Sequence, residues 1–77
     1  MVITLKVGEK TKKEMKEFYQ DSKREKTPPY AIFQAKSADS VITLYESGKA
    51  VFQGKSADID AQLWKEINQK YYPNMKQ

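Results

Sequence analysis

Between Tyr30 and Gly54 the chain carries three short runs of alternating apolar and polar residues, and nothing else in the sequence restricts the fold as tightly. Pro28-Pro29 leads in: proline cannot continue a helix, and it pushes the residue before it into extended backbone. Tyr30 to Lys36, Val41 to Tyr45 and Ala50 to Gly54 then read as strands. Ser37-Ala38-Asp39-Ser40 supplies one turn. Glu46-Ser47-Gly48-Lys49 supplies a hairpin turn, in which Gly48 can take a positive φ. Three strands joined by two tight turns make an antiparallel meander whose outer strands run in the same direction.

Those outer strands carry nearly the same seven residues, FQAKSAD from Phe33 and FQGKSAD from Phe52. Strand side chains alternate between faces, so Phe33 and Phe52 share one face, while Gln34, Gln53, Lys36 and Lys55 share the other. In the first copy Ser-Ala-Asp suits a turn, and in the second it suits a helix start. Extending the alternation puts Ile3, Leu5, Val7, Ala31, Phe33, Ala35, Ile42, Leu44, Ala50 and Phe52 on a face to be covered. Thr4, Lys6, Tyr30, Ile32, Gln34, Lys36, Val41, Thr43, Tyr45, Lys49, Val51, Gln53 and Lys55 fall on the opposite face.

The flanks supply the cover. Ile3 to Val7 alternates as a first strand. Thr11-Lys12-Lys13-Glu14 has capping-box spacing and predicts a helix from there to about Ser22, with Met15, Phe18, Tyr19 and Ser22 on one narrow face. Ser56 is placed to cap a second helix, with Asp58 and Asp60 in its first turn. Ile59, Leu63, Trp64, Ile67 and Tyr71 are expected along one side of it, and Pro73 ends it. The predicted class is α+β: an antiparallel sheet of four to five strands with two helices on one face. With four strands alone, the first strand would lie parallel to its neighbour in the meander. A short extra strand near Lys23–Thr27 would let it join antiparallel. Residues 1–72 read as one domain, and 73–77 as the start of a linker or tail.

Composition narrows the function. The 77 residues contain no cysteine and no histidine, which removes disulfides, thiolate metal sites and the commonest general base. No apolar run reaches membrane-spanning length and no signal-peptide pattern opens the chain, so a cytoplasmic location is expected. The net charge of +4 is spread along the chain and favours nucleic acid only weakly. The acidic residues are scattered over helices and turns, without metal-ligand spacing or an activated nucleophile beside them. The open face is more informative. Bare sheet faces are ordinarily polar, and this one mixes tyrosine, isoleucine and valine with lysine, glutamine and threonine. Such residues can stack on bases, hydrogen-bond groove edges and meet phosphates. They are also ordinary strand residues.

The string Ala31-Ile32-Phe33-Gln34-Ala35-Lys36, then Val41-Ile42-Thr43-Leu44-Tyr45-Glu46-Ser47-Gly48-Lys49-Ala50-Val51-Phe52-Gln53-Gly54-Lys55, then Trp64, resembles the N-terminal domain of bacterial ribonuclease HIII. Leu5-Lys6-Val7 fits as well, and the resemblance runs over about residues 2–65. More distantly, Ser47 to Val51 and Gly54-Lys55-Ser56 are similar to one half of the TATA-binding protein, whose uncovered sheet face meets DNA. By register, Tyr45, Val51 and Gln53 fall where that family contacts the minor groove. The resemblance implies a TATA-binding-protein-like half that anchors RNA/DNA hybrid for a ribonuclease H catalytic domain. That catalytic domain, with its carboxylates and divalent metal (Mg or Mn), is absent from this chain. The chain itself is then non-catalytic and cofactor-free.

Two functional expectations follow. As a nucleic-acid module, the domain would set Lys6, Lys36, Lys49 and Lys55 on phosphates, Gln34, Gln53 and Thr43 on groove edges or sugars, and Tyr30, Tyr45, Ile32 and Val51 on apolar surfaces. As a protein-interaction module, it would dock a partner or the catalytic domain of the same parent chain through the same face.

Overall fold

The computed structural model describes residues 1–23, 27–37 and 39–75. Its elements are β1 (Val2–Lys6), α1 (Glu9–Phe18), β2 (Ala31–Lys36), β3 (Ser40–Tyr45), β4 (Lys49–Gly54) and α2 (Ala57–Tyr71). The four strands form one sheet in the order β1-β4-β3-β2, and every neighbouring pair is antiparallel. The α+β class expected from the alternation is the class observed.

β1 joins antiparallel because the chain climbs back before β2. The N–H of Lys36 donates to the carbonyl of Ser22, and Lys23 forms a single antiparallel bridge to Ala35, both at the far end of β2. Pro28 lies at its near end, accepting from the N–H of Ala31. The extra strand expected near Lys23–Thr27 is represented by that one bridge, and residues 24–26 of it lie outside the described residues.

Hairpin chemistry acts as the turn residues dictate. Gly48 has φ +94° and donates its N–H to Tyr45, closing the β3–β4 turn. Gly54, at φ +114°, ends β4 where an added Cβ would overlap the backbone of Asp39. The two copies of the repeat meet there, since the Asp39 carbonyl accepts from the N–H of Lys55 at 2.9 Å.

The inward face follows the alternation with one break. Leu5, Phe33, Ala35, Ile42, Leu44, Ala50 and Phe52 are buried. Register shifts between Ala31 and Phe33, so Ile32 and Phe33 together oppose Leu44. This β-bulge inserts one residue and resets the alternation. Ile32, expected on the open face, packs against the core, and Ala31, expected inside, pairs with outward-facing Tyr45.

Both helices also differ from their predicted faces. α1 begins at Glu9, not after Thr11, with Gly8 at its N-cap and no side-chain cap of its own. Thr11 is fully buried, and its hydroxyl donates to Asn68 Oδ1 at 2.7 Å. The same oxygen accepts from the N–H of Gly8, while Tyr72 Oη accepts from the N–H of Lys10 in the first helical turn. α2 therefore caps α1 from a distance, which makes the local capping box unnecessary. α1 ends at Phe18, short of Ser22, and the chain turns through Tyr19. In α2 the buried stripe is Ala57, Ala61, Trp64 and Asn68. The small alanines let the helix approach the sheet closely. Ile59, Leu63 and Tyr71, expected inside, are exposed. Trp64 Nε1 donates to Tyr19 Oη at 2.8 Å and joins the helices under the sheet, where the Tyr19 ring meets Phe33.

Candidate nucleic-acid interface

With both helices on one side, the opposite face of the sheet is uncovered, and its side chains stand in rows across the strands. Lys36, Val41, Gln53 and Val2 make one row, and Gln34, Thr43, Val51 and Thr4 the next. Beyond them, Tyr45 stands beside Ala31, and Lys49 lies directly opposite Lys6. None of these strand positions carries a carboxylate.

The expected site residues divide by accessibility. Lys6, Lys36, Lys49, Gln53 and Lys55 are exposed, while Gln34, Tyr45 and Val51 are half-buried. Thr43 is only 1 % exposed, walled in by its neighbours on the central strand, and its hydroxyl accepts from Gln34 Nε2 at 2.9 Å. It positions Gln34 and is itself closed to a ligand. Ile32 leaves the site through the bulge.

Tyr30 lies off the end of β2, on the Tyr45 side, and is 83 % exposed. Its φ is +66°, in the left-handed region that a bulky side chain rarely occupies. Two hydrogen bonds hold it there: the N–H of Ala31 to Pro28 across the turn, and the N–H of Glu46 to the Tyr30 carbonyl. Positive φ at the third turn position ordinarily calls for glycine or asparagine.

At the other end, the last residues of β2 and β4 flank the start of β3 and enclose a shallow groove of about 540 Å³. Lys36 and Lys55 line it together with Gln53 and Val41, so the groove gathers the lysines of both repeat copies and the glutamine of the second. Ser37 and Asp39 also line it, and alternation could not assign them because they sit in the turn. Asp39 sets one carboxylate at this rim. Val2 is a further residue absent from the sequence-based list, although it continues the Thr4–Lys6 spacing.

Among the described residues no group of three or more His, Cys, Asp or Glu side chains could hold a metal ion. Among the described residues no helix is long and apolar enough to cross a membrane. What the face presents is therefore cations, amides and apolar surface in a plane, suited to an extended anionic ligand.

Comparison with known proteins assigns the chain. Residues 2–77 match the family described as "Domain of unknown function (DUF3378)". Ribonuclease HIII of Enterococcus faecalis is 45 % identical over 60 residues, covering 78 % of this chain and 20 % of that protein. The crystal structure of Bst-RNase HIII in complex with Mn2+ superposes with a TM-score of 0.77 at 31 % identity, over 83 % of this chain and 21 % of that one. Aquifex aeolicus RNase H3 shares the fold, with a TM-score of 0.73 at 17 % identity over 88 % of this chain and 27 % of that one. The chain spans about one fifth of the length of the curated relatives it matches. The family expected from the AIFQAK and VITLYESGKAVFQGK strings is the family found: the chain belongs to DUF3378, the N-terminal domain of ribonuclease HIII.

Proposed function

We propose that the uncovered sheet face anchors nucleic acid, and RNA/DNA hybrid in preference to other duplexes, for a ribonuclease H catalytic domain elsewhere in the parent protein. The observation that carries this reading is the charge and shape of the face. Lys6, Lys36 and Lys49 stand on strand positions that hold no carboxylate, and Lys55 adds a fourth cation at the groove. Lys6 lies directly opposite Lys49, so both cations can meet the same stretch of phosphate backbone.

In this reading Lys36 and Lys55 meet one stretch of backbone, and Lys6 and Lys49 another. Gln53 and the Thr43-held amide of Gln34 reach sugars or groove edges between them. Tyr45, Val51 and the projecting Tyr30 lie against sugars or bases. With few side chains and a flat surface, duplex geometry is what such a face can sense, so binding tolerates sequence. Residues 1–72 are the binding unit, and 73–77 are the start of a linker or tail of the parent protein. The chain has no catalytic role of its own; hydrolysis and the divalent metal belong to the catalytic domain, in the cytoplasm of a bacterial cell.

The test is the salt dependence of hybrid binding. Lys36→Ala and Lys55→Ala are each expected to weaken binding and lower the slope of log K against log salt by about one unit. Lys13→Ala on α1 is expected to change neither. Slopes that stay unchanged in the sheet variants, or binding that is insensitive to salt, would refute phosphate contacts and favour a protein dock on the same face.

A further inference from the structure

The helix layer presents a second surface of opposite character. α2 has two apolar stripes: the buried one already described, and an outer one with Ile59, Leu63 and Ile67 at successive four-residue spacings. Ile59 is 70 % exposed, Leu63 42 %, and Phe18 at the end of α1 64 %. Phe18 stands edge-on to Trp64 at 5.5 Å between ring centroids, so α1 and α2 form the two walls of an apolar groove. One hollow of it is lined by Phe18, Trp64 and Ile67, and a second by Ile59 and Leu63. A third joins them, sharing Ile67 with the first and Leu63 with the second.

The charge lining the first two hollows is one-sided. Glu14 and Glu17 line the first hollow, Asp58 and Glu66 the second, and no cation lines either. Glu14 accepts from the Tyr71 hydroxyl, and Glu66 accepts from the Gln62 amide. Among the described residues none of the four carboxylates is in an ion pair, while Lys10 and Lys13 line an adjoining hollow that shares Glu14 and Glu17. Lys70 lines the connecting hollow together with Glu66. Exposed apolar surface flanked by carboxylates repels nucleic acid and suits a ligand that is apolar and basic together.

We propose that the α1–α2 groove is a docking site for a basic amphipathic helix of a partner protein. Apolar side chains of that helix, at i, i+3, i+4 and i+7, seat between Phe18 and the Ile59–Leu63–Ile67 stripe. Its lysines or arginines lie along Glu14, Glu17, Asp58 and Glu66. The site is on the side of the domain opposite the sheet face, so both surfaces can be occupied at once.

The experiment titrates the isotopically labelled chain, followed by NMR, with a synthetic leucine–lysine amphipathic helix and with a twin carrying glutamate for lysine. The lysine helix is expected to shift resonances of Phe18, Ile59, Leu63 and Ile67 while leaving the Tyr45–Val51–Gln53 surface unmoved. Leu63→Asp and, separately, Glu17→Lys combined with Glu66→Lys are each expected to weaken binding roughly tenfold or more. Glu17, Leu63 and Glu66 are surface-exposed, so the folded state of each variant is checked by its unshifted core resonances. Equal binding of the glutamate twin, no binding, or indifference to the charge reversal overturns the proposal. Concentration-dependent shifts of the same residues without peptide also overturn it, because a second copy of the chain is then the occupant.

Discussion

Asn68 is fully buried on α2 and holds three segments with one amide, so its removal is the sharpest test of how the fold closes. Its Oδ1 accepts from the Thr11 hydroxyl at 2.7 Å and the Gly8 N–H at 3.0 Å. Its Nδ2 donates to the Lys6 carbonyl at 3.3 Å and lies 3.1 Å from Met75 Sδ. Asn68→Ala orphans a fully buried hydroxyl and a partly buried N–H. An unsatisfied buried group costs about 1–3 kcal/mol, and the partly buried one sits at the low end, giving a loss of about 3 kcal/mol. A domain of this size has roughly 3–5 kcal/mol to lose. Urea unfolding followed by circular dichroism should therefore show a midpoint moved most of the way to zero. Thr11→Val removes the donor together with its need for a partner and should cost only about 1 kcal/mol. In the double variant the orphaned hydroxyl is gone, so the two losses should fall short of additivity by about 1 kcal/mol or more. A loss below about 1 kcal/mol for Asn68→Ala, or strict additivity, would refute the reasoning.

Further outcomes follow from the two faces. Phe52→Ala, at a fully buried ring, should cost about 3–5 kcal/mol in the same unfolding assay. Tyr45→Ala should cost much less and register mainly as weaker hybrid binding; the reverse order would mean the faces are exchanged. Tyr30→Gly removes a large ring but also a strained left-handed tyrosine, so stability should stay within about 1 kcal/mol of the parent while hybrid binding weakens. Unchanged binding would take Tyr30 out of the site. Burial raises the Tyr19 phenol above its ordinary 10.0; the Trp64 N–H bond opposes this and the Asp60 charge adds to it. The fold thus favours the protonated phenol: its contribution is intact below pH 10.0 and is lost as pH rises through the higher folded value. Tyr19→Phe should flatten the fall of stability on the alkaline side, measured as unfolding midpoint against pH.

What the sequence made legible and what it hid separate along physical lines. The meander was legible because Gly48 and the Ser37–Ser40 segment carry turn chemistry within a few residues of the strands they join. The Gln–Lys face was legible because period-two alternation is a local property. The bulge at Ile32 was not, since it arises from pairing register and no residue there announces it. The start of α1 was hidden because its polar partners, Asn68 and Tyr72, come from the other end of the chain. In α2, hydropathy ranks Ile59 and Leu63 above Ala57 and Ala61, yet a helix laid close against a sheet selects the small residues. Within the candidate site, Thr43 read as a ligand-facing hydroxyl. Its burial depends on neighbours in two other strands and on the Gln34 amide that occupies it.

The central claim concerns the sheet face and its ligand. The most direct measurement titrates this chain against labelled RNA/DNA hybrid, DNA duplex and RNA duplex of equal length, at low and at moderate salt. Salt-sensitive binding that is tightest to hybrid is the predicted result. Absence of binding to every duplex by a chain whose fold is intact, or a preference for either uniform duplex over hybrid, would contradict the account.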